Sequence, residues 1–171
     1  WRLNFVGDLM LDRGVRAAVE KNGGDYAWLF SQLGQTWPGS GRSDTEIIFG
    51  NLEGPLSDQG VDQQNRYSFR MTPTALPAIV GAGFTVLVLA NNHTGDWGRA
   101  AFDDTRTRLA TAGIVAVGAG ANLAEASTVK ILTVDGVRLG FLGLSDVGPD
   151  WLAATSEQSG ILLAPNPDLP S

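Results

Sequence analysis

The sequence predicts an α/β protein whose sheet is largely parallel or mixed. Strand-like and helical segments alternate along most of the 171 residues. Residues 85–90 form a continuous apolar, β-branched run, as expected for a strand that is covered on both faces. Asp135 and Gly136 lie between two apolar runs, which is a strong indication of a β-hairpin. With 43% hydrophobic and 18% charged residues, the chain can form a single domain with its own core.

The elements of the first half follow from short apolar runs and the residues that close them. Residues 2–6 and 46–49 are predicted strands, closed by Gly7 with Asp8 and by Gly50 with Asn51. Helices are predicted at residues 14–21, at 26–33 and, with an early proline, at 74–81. Residues 67–70 are predicted to form a short strand, residues 37–43 a loop rich in Pro, Gly and Ser, and residues 56–65 a polar surface excursion.

The second half continues the alternation and then loses it. After the strand at 85–90 comes a loop at 91–98 and an amphipathic helix at 99–112, followed by a strand at 114–117. The hairpin is predicted to join residues 129–134 to residues 137–144. Beyond residue 144 no clear element is visible, so residues 145–171 are predicted to be a weakly structured tail of one domain spanning 1–171.

Composition excludes several classes of function. The net charge is −6, and the 12 Lys and Arg residues form no cluster, which argues against a nucleic-acid surface. An acidic protein also repels a polyanion unless a cation or a local group of arginines intervenes. The absence of cysteine excludes disulfides and thiolate metal sites. No apolar run approaches the roughly 20 residues of a membrane helix, and a start at Trp1 leads us to expect that a signal peptide or anchor was removed upstream.

Three polar clusters follow three predicted strands directly. Asp8 follows the first strand, Asn51 and Glu53 follow the second, and a run of Asn91, Asn92 and His93 follows the third. Open α/β sheets bind ligands outside the carboxyl ends of their strands. If the strands are parallel neighbours, these side chains therefore converge on one crevice.

The residue types in these clusters suit a divalent cation. Carboxylate and amide oxygens together with an imidazole match sulfur-free sites for Mn, Mg, Fe or Zn. Such an ion polarises a phosphoryl oxygen or lowers the pKa of a bound water. His93 is the single histidine of the chain, and a histidine next to a metal can protonate a leaving oxygen.

Each cluster taken alone also has a simpler interpretation. Asp8 can cap a turn or the next helix, Asn51 can hold a left-handed turn, and Glu53 can be an exposed loop acid. The asparagines before His93 can be turn residues, and a lone loop histidine is more often structural than catalytic. Three clusters at three strand ends are harder to explain in this way.

Several residues outside the clusters have two possible roles. Arg13, Arg66 and Arg70 could contact an anionic substrate, but solvated surface arginines are the favoured interpretation. Trp97, next to Asp96, could either pack the loop or line a pocket.

The motifs together resemble the CapA-type family of poly-γ-glutamate capsule synthesis proteins. The resemblance is carried by GDLML at residues 7–11 with Arg13 and Gly14, by GNLEGPLS at 50–57 and by LANNHTGDWG at 89–98. It extends from about residue 3 to about residue 144, most of the chain. The Asn-Asn-His loop with its two upstream partners is the most specific part.

The resemblance implies a fold related to calcineurin-like metallophosphoesterases, a mixed-sheet sandwich flanked by helices. It implies a role in synthesis, export or anchoring of a poly-γ-glutamate capsule, with the full-length protein at the bacterial cell surface or outside the cytoplasm. Carried over residue by residue, Asp8 and Asn92 become metal ligands, Asn51 takes the place of a metal-bridging Asp, and His93 assists the leaving group. The residues expected to contact substrate or support the ligands are Glu53, Asn91, Asp96 and Arg13.

Two departures from the phosphoesterase pattern predict an incomplete metal site. Met10 stands where the Asp-x-His motif has its histidine, and the chain has no second histidine. We therefore expect a protein truncated at the C-terminus that binds Mn, Fe or Zn incompletely.

Three functions stay open at this point. The first is a metal-dependent hydrolase site acting on an anionic polymer or a phosphoester in the full-length protein. The second is a non-catalytic component that binds other capsule-synthesis proteins. The third is an inactive fragment, whose exposed sheet edge or apolar face would favour self-association.

Overall fold

A computed structural model of the chain describes residues 1–34, 37 and 45–164. Its centre is a four-stranded sheet in the order β1-β2-β3-β4. All neighbouring strands of this sheet pair in parallel. The strands are β1 at Arg2–Leu9, β2 at Glu46–Leu52, β3 at Phe84–Val88 and β4 at Val115–Val117.

Helices make the crossover connections that parallel strands require. β1 is followed by α1 at Arg13–Lys21 and α2 at Ala27–Ser31, and a 3₁₀ turn at Pro73–Ala75 leads into α3 at Leu76–Gly81 before β3. α4, at Gly98–Thr111, connects β3 to β4. The α/β class predicted from the sequence is confirmed.

One face of the sheet packs against these helices and forms the main core. Residues adjacent along a strand point to opposite faces, so Ile48 faces the helices while Ile47 faces the other side. Phe102 and Leu109 of α4 are fully buried in the helix-side core, together with Leu87 of β3. Phe102 and Leu109 are two helical turns apart, so both lie on the side of α4 that faces the sheet.

A β-hairpin covers part of the opposite face. It consists of β6 at Lys130–Val134 and β7 at Val137–Phe141, and the Phe141 ring stacks on the ring of Phe49 with centroids 5.8 Å apart. Both turn residues have positive φ, 48° at Asp135 and 76° at Gly136, as a tight hairpin turn requires. The hairpin prediction is confirmed.

The segment after residue 144 carries more structure than its sequence pattern indicates. β5 at Ala119–Gly120 pairs antiparallel with β8 at Gly160–Ile161, and a 3₁₀ turn lies at Asp150–Leu152. Leu152 and Ile161 are fully buried in the main core. Elements of two or three residues show no periodicity, so the pattern could not reveal them. Residues 165–171 of the predicted tail lie outside the described residues.

Several element boundaries differ from the predictions. β1 and β2 run on through Asp8 and Asn51, with an irregular register between Phe5 and Asp8, so both polar residues lie in paired strand ends. The predicted strand at 67–70 is wrong, because the pairing next to it is a single bridge between Leu56 and Met71. The predicted helix at 26–33 is shorter, and α5 at Leu123–Ala126 was not predicted. The predicted loop at 37–43 lies outside the described residues except for residue 37.

No helix within residues 1–34, 37 and 45–164 is both long enough and apolar enough to cross a membrane.

Candidate functional site

The ends of β1 and β2 bring the first two polar clusters together. Asp8 pairs directly with Asn51 in the strand register, and Asn51 pairs with Val88 at the end of β3. The loop that carries His93 begins just after that strand. The structure therefore brings Asp8, Asn51 and the start of the His93 loop to one edge of the sheet.

The side-chain amide of Asn51 bridges two carboxylates. Its Nδ2 donates one hydrogen bond to Asp8 Oδ1 at 2.9 Å and another to Glu53 Oε2 at 2.6 Å. Asn51 lies in β2 and is not among the residues with positive φ, so it does not hold a left-handed turn. Its amide hydrogens offset part of the repulsion between the two acids.

Asn91 fixes the direction in which the Asn51 amide points. Asn91 Oδ1 accepts the backbone N–H groups of His93 at 3.0 Å and Thr94 at 2.8 Å, so its Nδ2 must face the other way. That Nδ2 donates to the Leu52 carbonyl at 2.9 Å and to Asn51 Oδ1 at 3.0 Å. With its oxygen held in this way, Asn51 can turn only its NH₂ group toward the acids.

His93 is oriented by a buried carboxylate. Its Nδ1 lies 2.8 Å from Asp96 Oδ2, and Asp96 is only 1% exposed. Asp96 also accepts the Phe69 backbone N–H at 2.8 Å and the Asn65 side-chain amide at 2.9 Å. Because an ionised carboxylate accepts only, this contact places a proton on Nδ1 and leaves Nε2 directed to the site.

Glu53 completes a line of three ionisable groups. Its Oε1 lies 3.7 Å from His93 Nε2. Burial is the main cause that raises the pKa of Glu53, and the nearby charge of Asp8 raises it further, whereas the Asn51 hydrogen bond and the proximity of His93 act in the opposite direction. A carboxyl group with a raised pKa beside an oriented imidazole is suited to proton transfer.

The 65–70 loop, whose role the sequence did not indicate, closes one side of the site. The ring of Phe69 lies against the imidazole of His93, with centroids 4.2 Å apart. The loop is anchored at its other end, where Asp12 Oδ2 accepts the Arg70 backbone N–H at 2.8 Å while Asp12 Oδ1 pairs with Arg16 at 2.9 Å. The hydrogen bonds that tie this loop to Asp96 and to Asp12 join residues 27 and 58 positions apart, so no local pattern could have revealed them.

Two residues of the Asn91–His93 cluster border a cavity. Asn92 is exposed and, together with His93, lines a cavity of about 370 Å³. Across it lie Arg66 and Tyr67. Trp97 lies outside this cavity, with the guanidinium carbon of Arg70 only 3.6 Å from its ring centroid, so it packs the loop instead.

Comparison with known proteins identifies the family. The family model described as "Bacterial capsule synthesis protein PGA_cap" matches residues 2–166. The chain belongs to this family. The resemblance drawn from the three motifs is thereby confirmed, and the residues that form the network around Asn51 lie inside the matched region.

Curated relatives agree with this family assignment. The chain is 33% identical to the capsule biosynthesis protein CapA of Bacillus anthracis over 98% of its length, and 30% identical to the PGA biosynthesis protein CapA of Bacillus subtilis over 94%. It is 34% identical over 72% of its length to a probable polyglutamine synthesis accessory protein of Mycobacterium tuberculosis. The chain spans 40% of the first relative and 41% of the second.

The arrangement of possible metal ligands can be judged for residues 1–34, 37 and 45–164. Within the described residues, no three His, Asp or Glu side chains come together in a way that could hold an ion. The Met10 thioether accepts the Asp12 backbone N–H at 3.3 Å. Asn51 Oδ1 already accepts a hydrogen bond from Asn91. The carboxylates at this strand edge are those of Asp8 and Glu53, and both accept hydrogen bonds from Asn51 Nδ2. Metal binding by Asp8, Asn51 and Asn92 stays a prediction.

Proposed function

We propose that this chain carries the acid–base part of a hydrolytic site used in the synthesis of a poly-γ-glutamate capsule. The observation that supports it best is the line formed by Glu53, His93 and Asp96 at the carboxyl end of the sheet. The substrate class is inferred from the names of the relatives, two of which are capsule or PGA biosynthesis proteins.

The geometry suggests a division of roles between Glu53 and His93. Glu53, when ionised, can take a proton from a water molecule that attacks the scissile carbonyl or phosphoryl group. His93, when protonated, can donate its Nε2 proton to the leaving atom while Asp96 holds the ring in place. Transfer of the proton from Glu53 Oε1 back to His93 Nε2, two atoms that lie 3.7 Å apart, restores the starting state.

The proposal extends to a metal and to the architecture of the protein in its full natural length. We infer a metallophosphoesterase-like fold there, and Mn, Fe or Zn as the ion that Asp8 and Asn92 would help to hold. Asn51 would join them only by releasing the hydrogen bond that its Oδ1 accepts from Asn91. Such an ion would supply Lewis-acid polarisation of the substrate. Elemental analysis after loading and desalting tests this part: near-stoichiometric metal that is lost in Asp8→Ala supports it, and no retained metal in the full-length protein contradicts it.

The activity is tested with the protein in its full natural length. γ-Glutamyl polymer and simple phosphoesters are incubated with it in the presence of Mn, Zn or Fe, and polymer length and released phosphate are measured. Glu53→Gln and His93→Gln are expected to slow hydrolysis by roughly 10²- to 10⁴-fold, the usual contribution of an acid–base group. Glu157→Gln, an exposed position away from the network, is the matched control. If no ion supports hydrolysis of either substrate, the enzymatic proposal is wrong.

One observation favours a second, non-catalytic candidate. The Asn51 amide, rather than an acid, lies between Asp8 and Glu53, which lowers the negative charge available to a cation. A binding or assembly component of capsule synthesis or export would need no hydrolysis. This candidate predicts that His93→Ala leaves polymer export intact, and it fails if export stops while folding and abundance are unchanged.

Location and partners form the last part of the proposal. We expect the full-length protein at the bacterial cell surface or outside the cytoplasm, in contact with other capsule-synthesis proteins. Cell fractionation combined with crosslinking tests both expectations. Recovery in the cytoplasmic fraction without crosslinked capsule proteins would contradict them.

A further inference from the structure

Two arginines flank one aromatic ring beside the His93 cavity. The guanidinium carbon of Arg66 lies 5.3 Å from the ring centroid of Tyr67, and that of Arg13 lies 5.4 Å from the same centroid. Arg13 also lies over Phe69, at 4.8 Å, and Phe69 itself contacts the His93 ring. The two cations therefore border the site on the side of the 65–70 loop.

Neither arginine pairs with an acid among the residues that the structure describes. Within the described part of the chain, no ion pair joins Arg13 or Arg66 to a carboxylate, whereas Arg16, Arg106 and Arg108 each pair with one at 3.3 Å or less. Both guanidinium groups are exposed and supported on aromatic faces. Their hydrogen-bond donors are thus available to a ligand, since stacking on a ring leaves the planar edge of a guanidinium free.

The surface that carries these arginines is held in a fixed position. Asp96 binds the 65–70 loop through Asn65 and the backbone of Phe69, and Asp12 binds it through the backbone of Arg70. Asp12 directly precedes Arg13, the first residue of α1. The hydrogen bond from the Arg70 backbone to Asp12 therefore links the loop to the start of this helix. A ligand bound between the loop and α1 would find both arginines already in place.

The backbone at Arg13 is strained in a way that favours this arrangement. Arg13 has φ of 50°, a left-handed conformation that costs a non-glycine residue about 1 kcal/mol. Gly14, which adopts such values freely, is the next residue along the chain. At Arg13 this conformation accompanies a guanidinium group that lies over Tyr67 and Phe69.

We propose that Arg66 and Arg13 form a subsite that binds a carboxylate of an acidic polymer next to His93. Arg66 shares the cavity of about 370 Å³ with His93 and Asn92, so a group held there lies beside the proton-transfer residues. A chain with a net charge of −6 repels a polyanion as a whole, and Asp8 and Glu53 add local repulsion, so a local cation is needed to hold it. The role of this subsite in positioning a substrate rests on the proposed hydrolytic function. Binding of an acidic polymer to it can nevertheless be measured without any hydrolysis.

The test measures binding of a fluorescently labelled oligo-γ-glutamate by anisotropy at low salt. Arg66→Gln and Arg13→Gln are each expected to weaken binding by about tenfold to a hundredfold, the effect of losing charge-assisted hydrogen bonds. Arg138→Gln removes the same charge from an exposed position on the hairpin and is the matched control, expected to change binding less than twofold. Arg66→Lys keeps the charge but not the planar fork, so an intermediate loss is expected.

Competition distinguishes the source of the anion. Unlabelled oligo-γ-glutamate should displace the probe at far lower concentration than inorganic phosphate, and displacement by phosphate at equal concentration would overturn the assignment to a carboxylate. Equal weakening by all three Gln substitutions, or no weakening by Arg66→Gln and Arg13→Gln, would overturn the subsite. His93→Gln should retain binding while losing hydrolysis, so a failure of the hydrolytic proposal and a failure of the subsite give different results.

Discussion

Asp96 is the group on which the orientation of His93 and the position of the 65–70 loop both depend. Replacement by alanine leaves the Phe69 backbone N–H and the His93 Nδ1–H without their acceptor, because Asp96 is 1% exposed and water has little access to it. A buried donor left unsatisfied costs about 1–3 kcal/mol. The exposed Asn65 amide can turn to water instead. We therefore expect Asp96→Ala to lower the free energy of unfolding by about 2–4 kcal/mol.

Two measurements test this expectation. Urea denaturation followed by tryptophan fluorescence gives the change in stability, with Asp62→Ala as the control, since Asp62 accepts hydrogen bonds within the same surface region but is far less buried. Selective ¹⁵N labelling of histidine reports a single imidazole and should show a smaller fraction of His93 with its proton on Nδ1 in Asp96→Ala. If Asp96→Ala is no less stable than Asp62→Ala and the tautomer is unchanged, Asp96 does not hold His93.

Two further predictions concern stability. Because the pKa of Glu53 is raised in the folded state, the stability it contributes is fully present below its unfolded pKa and is lost as pH rises through the folded pKa. Glu53→Gln should therefore be more stable than wild type at pH 7 and similar to it near pH 4 in urea titrations, and a variant less stable at pH 7 would contradict this. Gly60 has φ of 84°, and a Cβ there would lie 2.0 Å from the Trp97 carbonyl oxygen, so Gly60→Ala should lose about 3 kcal/mol or more. Gly136→Ala, where φ is 76° but no atom lies within 4 Å of the added Cβ, should lose only about 1–2 kcal/mol, and equal losses would show that the close approach does not matter.

The convergence of the polar clusters could be predicted because it depends on strand ends alone. Asp8, Asn51 and the Asn91 loop each follow an apolar run, and the parallel sheet order brings such ends to one edge. The order of the strands in the sheet had to be assumed, because the sequence does not determine it. The structure shows the simplest order, in which each strand lies beside the next one along the chain.

The role of Asn51 could not be predicted from its position. Its place among acids suggested a metal ligand, but its amide orientation depends on Asn91, which is itself fixed by the backbone N–H groups of His93 and Thr94. A hydrogen-bond network of this kind depends on the conformation of a loop, and residue type alone does not determine that conformation.

The contribution of the 65–70 loop was also beyond sequence reasoning. Residues 67–70 were predicted to form a strand because their composition suits one, yet tertiary hydrogen bonds to Asp12 and Asp96 hold them in an irregular conformation. Arg13 and Arg66 are exposed, as predicted, whereas Arg70 is half-buried and its guanidinium group lies over the Trp97 ring. What the sequence did not indicate is that the guanidinium groups of Arg13 and Arg66 both lie near the ring of Tyr67.

The most direct test of the proposed site is a double-mutant comparison of polymer cleavage. Initial rates of γ-glutamyl polymer shortening are measured for the protein in its full natural length and for Glu53→Gln, His93→Gln and the double variant. Groups that act as a unit give strongly non-additive effects. The account predicts that the double variant is about as slow as the slower single variant. Full activity in His93→Gln, or losses that simply multiply in the double variant, would contradict a joint acid–base role for Glu53 and His93.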